Sequence, residues 1–392
     1  MRFRWFSLCV LTSVFLLTFV GLEACSGGGG NTNTNTNSNT NTTNTNDNTN
    51  TTNTNKNTSS GRCTLGEAIN TCKGDGECQA QRDCDPKTGN NLPGTCFDKM
   101  CVANPTAESK TEKGEDPDLS CVGKPLELPK GPEKATFFGP AETFGLNGST
   151  IGVSVQVYKY DGNKPLSATT LLGSFTTKNP DDMETQDCAE KCSEDRFCLN
   201  KSCVKRQDSA GNDIGYFTIE DIPTNTSIIV KTTGPNLVTT VQYNLWLPAD
   251  KVKDGFFQER AFVVTQLTKS LIPGTAGIRK IQDGNGAVAG EIHDCQDRIL
   301  AGARVSVSLR SQKLTYFNGD GDQPDPSKEE TAEDGVYAAL NIKLNDTSPI
   351  GQEVELRSAI KVGGKPTWVA SYKARLFADA ITILTVLPAN PE

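Results

Sequence analysis

The chain has 392 residues, with 39 lysines and arginines against 47 acidic residues and a formal net charge of −8. No basic stripe accompanies that balance, so nucleic acid is excluded as an expected partner. A single histidine leaves no room for a metallopeptidase centre built on two, and fourteen cysteines point to an oxidising compartment.

Arg2 and Arg4 precede a mostly apolar run from Trp5 to Val20, the pattern of a secretory signal core and short for a membrane span. No second apolar run of spanning length follows. Leu22-Glu23-Ala24-Cys25 then resembles a bacterial lipobox, with an apolar residue three before the cysteine and a small one directly before it. The resemblance implies that residues 1–24 are a signal peptide and that Cys25 is acylated as the new N-terminus. Ser26, in place of Asp, implies by the same resemblance a cell-envelope protein of the outer membrane. Residues 26–60 hold only Ser, Gly, Asn and Thr with Asp47 and Lys56, and so cannot bury enough surface to order themselves. Residues 25–60 are therefore expected to be a lipidated cysteine and a disordered, low-complexity Asn/Thr-rich tether, roughly 30–35 Å end to end.

The cysteines fall into blocks. Cys63, Cys72, Cys78, Cys84, Cys96 and Cys101 occupy a module at 61–104, and Cys188, Cys192, Cys198 and Cys203 lie within an insertion at about 179–211. Even blocks in an exported chain predict disulfide bonds, with the connectivity open. Cys121 and Cys295 remain, and they are each other's partner by elimination. Cys96 to Val102 and Cys198 to Val204 share Cys-x4-Cys-Val with a lysine at the same offset, so the second block looks like a shortened copy of the first. Without histidine in either block, crosslinks are favoured over zinc.

After a linker at 105–134 the chain reads as all-β. Ile151, Val153, Val155 and Val157 alternate with polar residues, as do Val305, Val307 and Leu309, and then Val354, Leu356, Ile360 and Val362. Trp368, Ala370, Tyr372, Ala374 and Leu376 fill one face of the next run. Ala380 to Leu387 is apolar on both faces, which predicts a central strand. No long amphipathic helix is expected. The pattern predicts a sandwich at 135–272, a linker at 273–285 and a second sandwich at 286–392. The expected class is mainly β: two Greek-key, transthyretin-like β-sandwiches preceded by a small disulfide-rich module and a tether.

Each sandwich carries a Gly-x-aromatic phrase, Gly215-Tyr216-Phe217 and Gly335-Val336-Tyr337, whose glycine suits a hairpin turn with positive φ. In the second, Gly290-Glu291-Ile292-His293-Asp294, Leu300 to Val305 and Thr331 to Tyr337 occur in order. Together they resemble the carboxypeptidase regulatory-like domain across roughly residues 286–388. That resemblance implies a transthyretin-like sandwich that does no chemistry of its own.

His293 is read as a structural residue before Asp294-Cys295, and a nucleophilic pair with Cys295 is disfavoured by oxidation of that thiol. Asn318, Asp320, Asp322 and Glu329 have the alternating oxygen ligands of a calcium loop, but Gln323 and Pro324 replace what its sharp turn needs, and a polar hairpin explains them equally. No cofactor is expected. The expected function is a non-enzymatic, membrane-anchored surface lipoprotein, a binding or scaffolding/adhesion module for envelope polysaccharide or another cell-surface protein. The alternative is an envelope hydrolase using an Asp/Glu pair on glycan or peptide.

Overall fold

The structure, a computed structural model, describes residues 76–84, 91–97 and 100–388, except 125–126, 145–147, 162–163, 165, 168–169, 184–187, 189–190, 194, 320–322 and 346–347. Side chains are described from residue 93 onward. All of these residues belong to the compact unit Ser59–Glu392. The expected signal and tether, and Cys25, Cys63 and Cys72, lie outside the described residues, as do the side chains of Cys78 and Cys84. Among the described residues no helix is long and apolar enough to cross a membrane.

Three antiparallel strands begin the described chain: β1 (Gly76–Cys84), β2 (Asn91–Phe97) and β3 (Met100–Ala103). The short strand β4 (Lys110–Thr111) follows. The first half of the globular body carries β5 (Lys134–Phe144), β6 (Ser154–Lys159), β7 (Leu171–Thr176), β8 (Arg196–Leu199), β9 (Ser202–Lys205) and β10 (Tyr216–Pro223). It continues with β11 (Thr226–Thr233), β12 (Leu237–Val238), β13 (Thr240–Leu247), β14 (Phe256–Gln258) and β15 (Ala261–Thr265), then the helix α1 (Gln266–Thr275). The second half adds β16 (Gly286–Glu291), β17 (Leu300–Ala301), β18 (Arg304–Val307), β19 (Lys313–Phe317) and β20 (Pro324–Asp325). Its last strands are β21 (Val336–Ile342), β22 (Gln352–Val362), β23 (Lys365–Leu376) and β24 (Ile381–Leu384).

The chain is mainly β, and its two sandwiches share their middle layer. A nine-stranded sheet runs β20-β19-β21-β16-β24-β13-β11-β6-β7. On one face, the first half packs against β10-β5-β15, burying Phe137, Val155, Val157, Phe217 and Val230 in a common core. Phe137 and Phe217 meet edge to face with centroids 5.0 Å apart. On the other face, Val288, Tyr337 and Leu384 pack against the three-stranded sheet β18-β22-β23, and Ile229, Val241 and Tyr243 from the first half join that same core. The join is β24, which runs parallel to both β13 and β16. Its four residues are all buried, the burial that a run apolar on both faces requires.

Several local expectations change. Ile151 is 42 % exposed and precedes β6, so the valine alternation starts at Val153. Val369 forms a bulge between the pairs Ser358↔Ala370 and Ala359↔Trp368, and it enters the core while Trp368 leaves that face. Gly335 has the positive φ (65°) expected at its turn. Gly215 needs no such φ; a Cβ there would come within 2.2 Å of the Thr150 carbonyl oxygen, so close approach selects glycine. The helix α1 was hidden by Pro273, which sits in its last turn, so the one backbone bond forfeited by its missing N–H lies at the C-terminal end and the preceding turns stay intact.

The stretch read as a linker after the first cysteine block is a strap along the second sandwich. Ser109 Oγ donates to the Gly302 carbonyl at 2.7 Å, β4 pairs with β17, and Arg298 reaches Glu115 at 2.7 Å. Above the strap, β3 lies against β18 and β22. Arg304 and Ser306, which alternate with core valines, are therefore covered rather than solvent-facing. The three phrases behind the family resemblance also meet. Thr331 Oγ1 donates to the Leu300 carbonyl at 2.7 Å and accepts from the Ala303 amide, and the Tyr337 hydroxyl donates to the Leu384 carbonyl at 2.5 Å. Tyr337→Phe is expected to lower stability by about 1 kcal/mol through loss of that buried bond, measured as a shift in denaturant midpoint.

Candidate functional site

β16 carries Glu291 at its end, and the chain continues through His293 into a turn that Asp297 closes with φ 60°. That path places the one histidine between two carboxylates. His293 Nδ1 lies 2.8 Å from Asp297 Oδ1 and Nε2 lies 3.0 Å from Glu291 Oε2, with the imidazole side chain 11 % exposed. Burial opposes the charged ring, but the hydrogen bonds to Asp297 and Glu291 outweigh it and raise the pKa to about 9. Burial alone would lift the Glu291 carboxyl; the His293 hydrogen bond and charge, with Arg260 nearby, hold it below the usual range instead.

The cluster reaches into the first half of the body. Arg260, between β14 and β15, stands 3.4 Å from Glu142 of β5 and lies over the Phe262 ring at 4.6 Å. Neighbouring Glu259 is pushed up by burial. Chemically this is an ionic clamp. A histidine that donates from both nitrogens has no lone pair to offer at neutral pH, which general-base or triad chemistry requires. The adjacent sulfur is committed as well: Cys295 forms a disulfide with Cys121. Asp294, fully buried, accepts from the amides of Asp118, Gln296 and Arg298 and from the Arg298 guanidinium, tying the strap to this turn.

The two cysteine blocks share a framework. Cys96 faces Cys101 across β2 and β3, and Cys198 faces Cys203 across β8 and β9, in the same register. All four are disulfide-bonded. In the second block the bonds are Cys188–Cys198 and Cys192–Cys203, so facing cysteines bind upstream partners instead of each other. Asn200 and Lys201 turn that hairpin with φ of 47° and 61°, the paired left-handed residues of a tight hairpin. Leu199 and Val204 pack it onto Phe138 and Tyr216, while Val157 and Phe217 stay in one core beneath; the block thus interrupts a single sandwich. The sulfurs of Cys188, Cys192 and Cys203 lie within 4.8 Å of one another, but as cystines they offer no thiolate to a metal.

Of the calcium candidates, Asp320 and Asp322 lie outside the described residues. Glu329 accepts from buried Arg304 at 2.8 Å, so its charge is already met, and the Asn318 amide donates to the Gln323 carbonyl. Glu330 anchors the strap by accepting from the Thr106 and Ala107 amides. Between the strap and the 327–333 segment a groove of about 590 Å³ opens, lined by Glu108, Lys110, Glu112, Lys328, Glu330 and Glu333. Its mixed charges suit polar surface recognition.

Arg260, Glu142 and the strap carry much of this arrangement, and none was singled out by residue pattern. The isolated Cys121, with its partner in the distant second sandwich, was the one available signal for the strap. No known protein-family profile matches the chain, and no curated protein matches it. Fold and site together define a mainly β protein stapled by disulfides around a locked histidine.

Proposed function

We propose that the protein is a non-enzymatic surface lipoprotein, anchored through lipid on Cys25 to the outer membrane, that binds or scaffolds envelope polysaccharide or another surface protein. The observation that carries this reading is the Cys121–Cys295 crosslink, which fastens the segment following the first cysteine block to the second sandwich. A body stapled in this way is suited to display in an oxidising compartment, where disulfides persist. The clamp on His293 and the oxidised Cys295 support binding over catalysis, and the resemblance to the carboxypeptidase regulatory-like domain points the same way. The groove beside Glu108, Lys110 and Glu330 is the surface on which a polar partner would rest.

Intact-mass spectrometry of protein purified from its native membrane tests the anchoring. The expected species lacks residues 1–24, carries acyl mass on Cys25, and gains two hydrogens per disulfide on reduction. A chain that retains Met1 and shows no mass gain on reduction overturns the reading.

A further inference from the structure

The side of the nine-stranded sheet that faces α1 is built differently from the rest of the core. Ala287 and Ala289 of β16 project there, and Ala289 stands directly opposite Ala338 of β21. Ile381 and Ile383 of β24 flank this floor on one side and Phe317 on the other, while Phe144, Phe262 and Ile272 close over it. Small residues at adjoining positions of a sheet, walled by large ones, leave a gap that the surrounding side chains do not fill. The gap is a cavity of about 50 Å³. It has room for roughly three or four methylene-sized groups, taking ~10–15 Å³ for each water-sized sphere. An apolar lining gives water no partners, so such a space favours an apolar guest.

Two charged side chains mark its borders. Glu291 is committed to His293 at 3.0 Å, with the Arg260 charge beside it. Lys269 of α1 is held less closely. Its Nζ donates to the Asp379 carbonyl at 3.3 Å and lies 3.9 Å from the Asp379 carboxylate, itself 57 % exposed, although the lysine side chain is only 19 % exposed. An incoming anion would give Lys269 a closer partner than it has, whereas a cation at the other border would meet Arg260 and His293.

We infer that the cavity beneath α1 is a binding site for a straight short-chain aliphatic carboxylate of four or five carbons, its chain in the cavity and its carboxylate paired to Lys269. The site lies outside the groove assigned to surface recognition and does not depend on acylation at Cys25.

Calorimetric titration of the full chain with butanoate, pentanoate and butyltrimethylammonium tests the assignment. Saturable binding of pentanoate is expected, at least tenfold tighter than the ammonium of equal chain length. Ala338→Val, which fills the floor, is expected to abolish pentanoate binding while leaving the thermal midpoint unchanged or higher. Lys269→Gln is expected to erase the preference for carboxylate over ammonium while chain binding persists, and this variant keeps the test open if the valine variant misfolds. No saturable binding by the native chain, undiminished binding by a folded Ala338→Val variant, or equal affinity of native protein for the two head groups overturns it.

Discussion

Replacing Cys121 and Cys295 together by serine is expected to lower the unfolding free energy by about 5 kcal/mol. The two residues are 174 apart in sequence, against separations of 10 and 11 for Cys188–Cys198 and Cys192–Cys203, so their bond closes a far longer loop and removes a large share of the unfolded ensemble. The cost falls on the strap first. The Cys295 amide donates to the Asp118 carbonyl, the Asp118 amide donates to Asp294, and Arg298 bridges Asp294 and Glu115. Without the crosslink those bonds must hold the strap alone. Denaturant unfolding of the double variant against the native chain measures the loss, and amide exchange at Thr111 and Asp118 locates it. A loss below about 1 kcal/mol, near the net worth of a single hydrogen bond, would show that the strap's polar contacts suffice without the disulfide.

The second large effect is a pH dependence. The His293 pKa is raised from 6.5 to about 9, so its folded state binds the proton more tightly than the unfolded chain does. The resulting stabilisation is complete below pH 6.5 and disappears as pH rises through about 9. Its size is about 3 kcal/mol at ~1.4 kcal/mol per pKa unit, since the ring is largely shielded from solvent. Glu291 shifts the other way: held below its usual range, it stabilises above its unfolded pKa and loses that contribution as pH falls through the lowered value. The clamp is therefore strongest between these limits. Urea unfolding across pH 6 to 10 is expected to show the decline in the native chain and a nearly flat profile in His293→Gln. Parallel profiles for the two would mean that the ring does not gain its proton on folding. Asp297 and Arg260 remain in both, so the comparison isolates the histidine.

Much of the fold could be read from residue order alone because the rules involved are local. The valines at 153, 155 and 157 mark β6, the doubly apolar run marks β24 as central, and Cys-x4-Cys-Val marks two hairpins in a common register. The misses depend on neighbours distant in sequence. Arg304 alternates with Val305 and Val307 as an outward residue should, yet it is 2 % exposed because β3 covers it. The bulge at Val369 shifts the phase of β23 with no glycine or proline at the bulge itself to announce it. At the candidate site, His293 and Cys295 were visible as rare chemical types. Glu142 and Arg260 were ordinary surface charges until β5 and β15 brought them beside Glu291.

The insertion of β24 between β13 and β16 has a consequence for how the protein is made. Residues 381–384 follow every strand they join, so during synthesis neither β13 nor β16 has its shared neighbour until those residues have been made. Until then both strands present open backbone edges, the kind of surface on which chains stick to one another. A ribosome stall or protease cut ahead of Ile381 would leave more than a frayed tail. It would leave two half-built sheets, each with a bare seam where the other belongs.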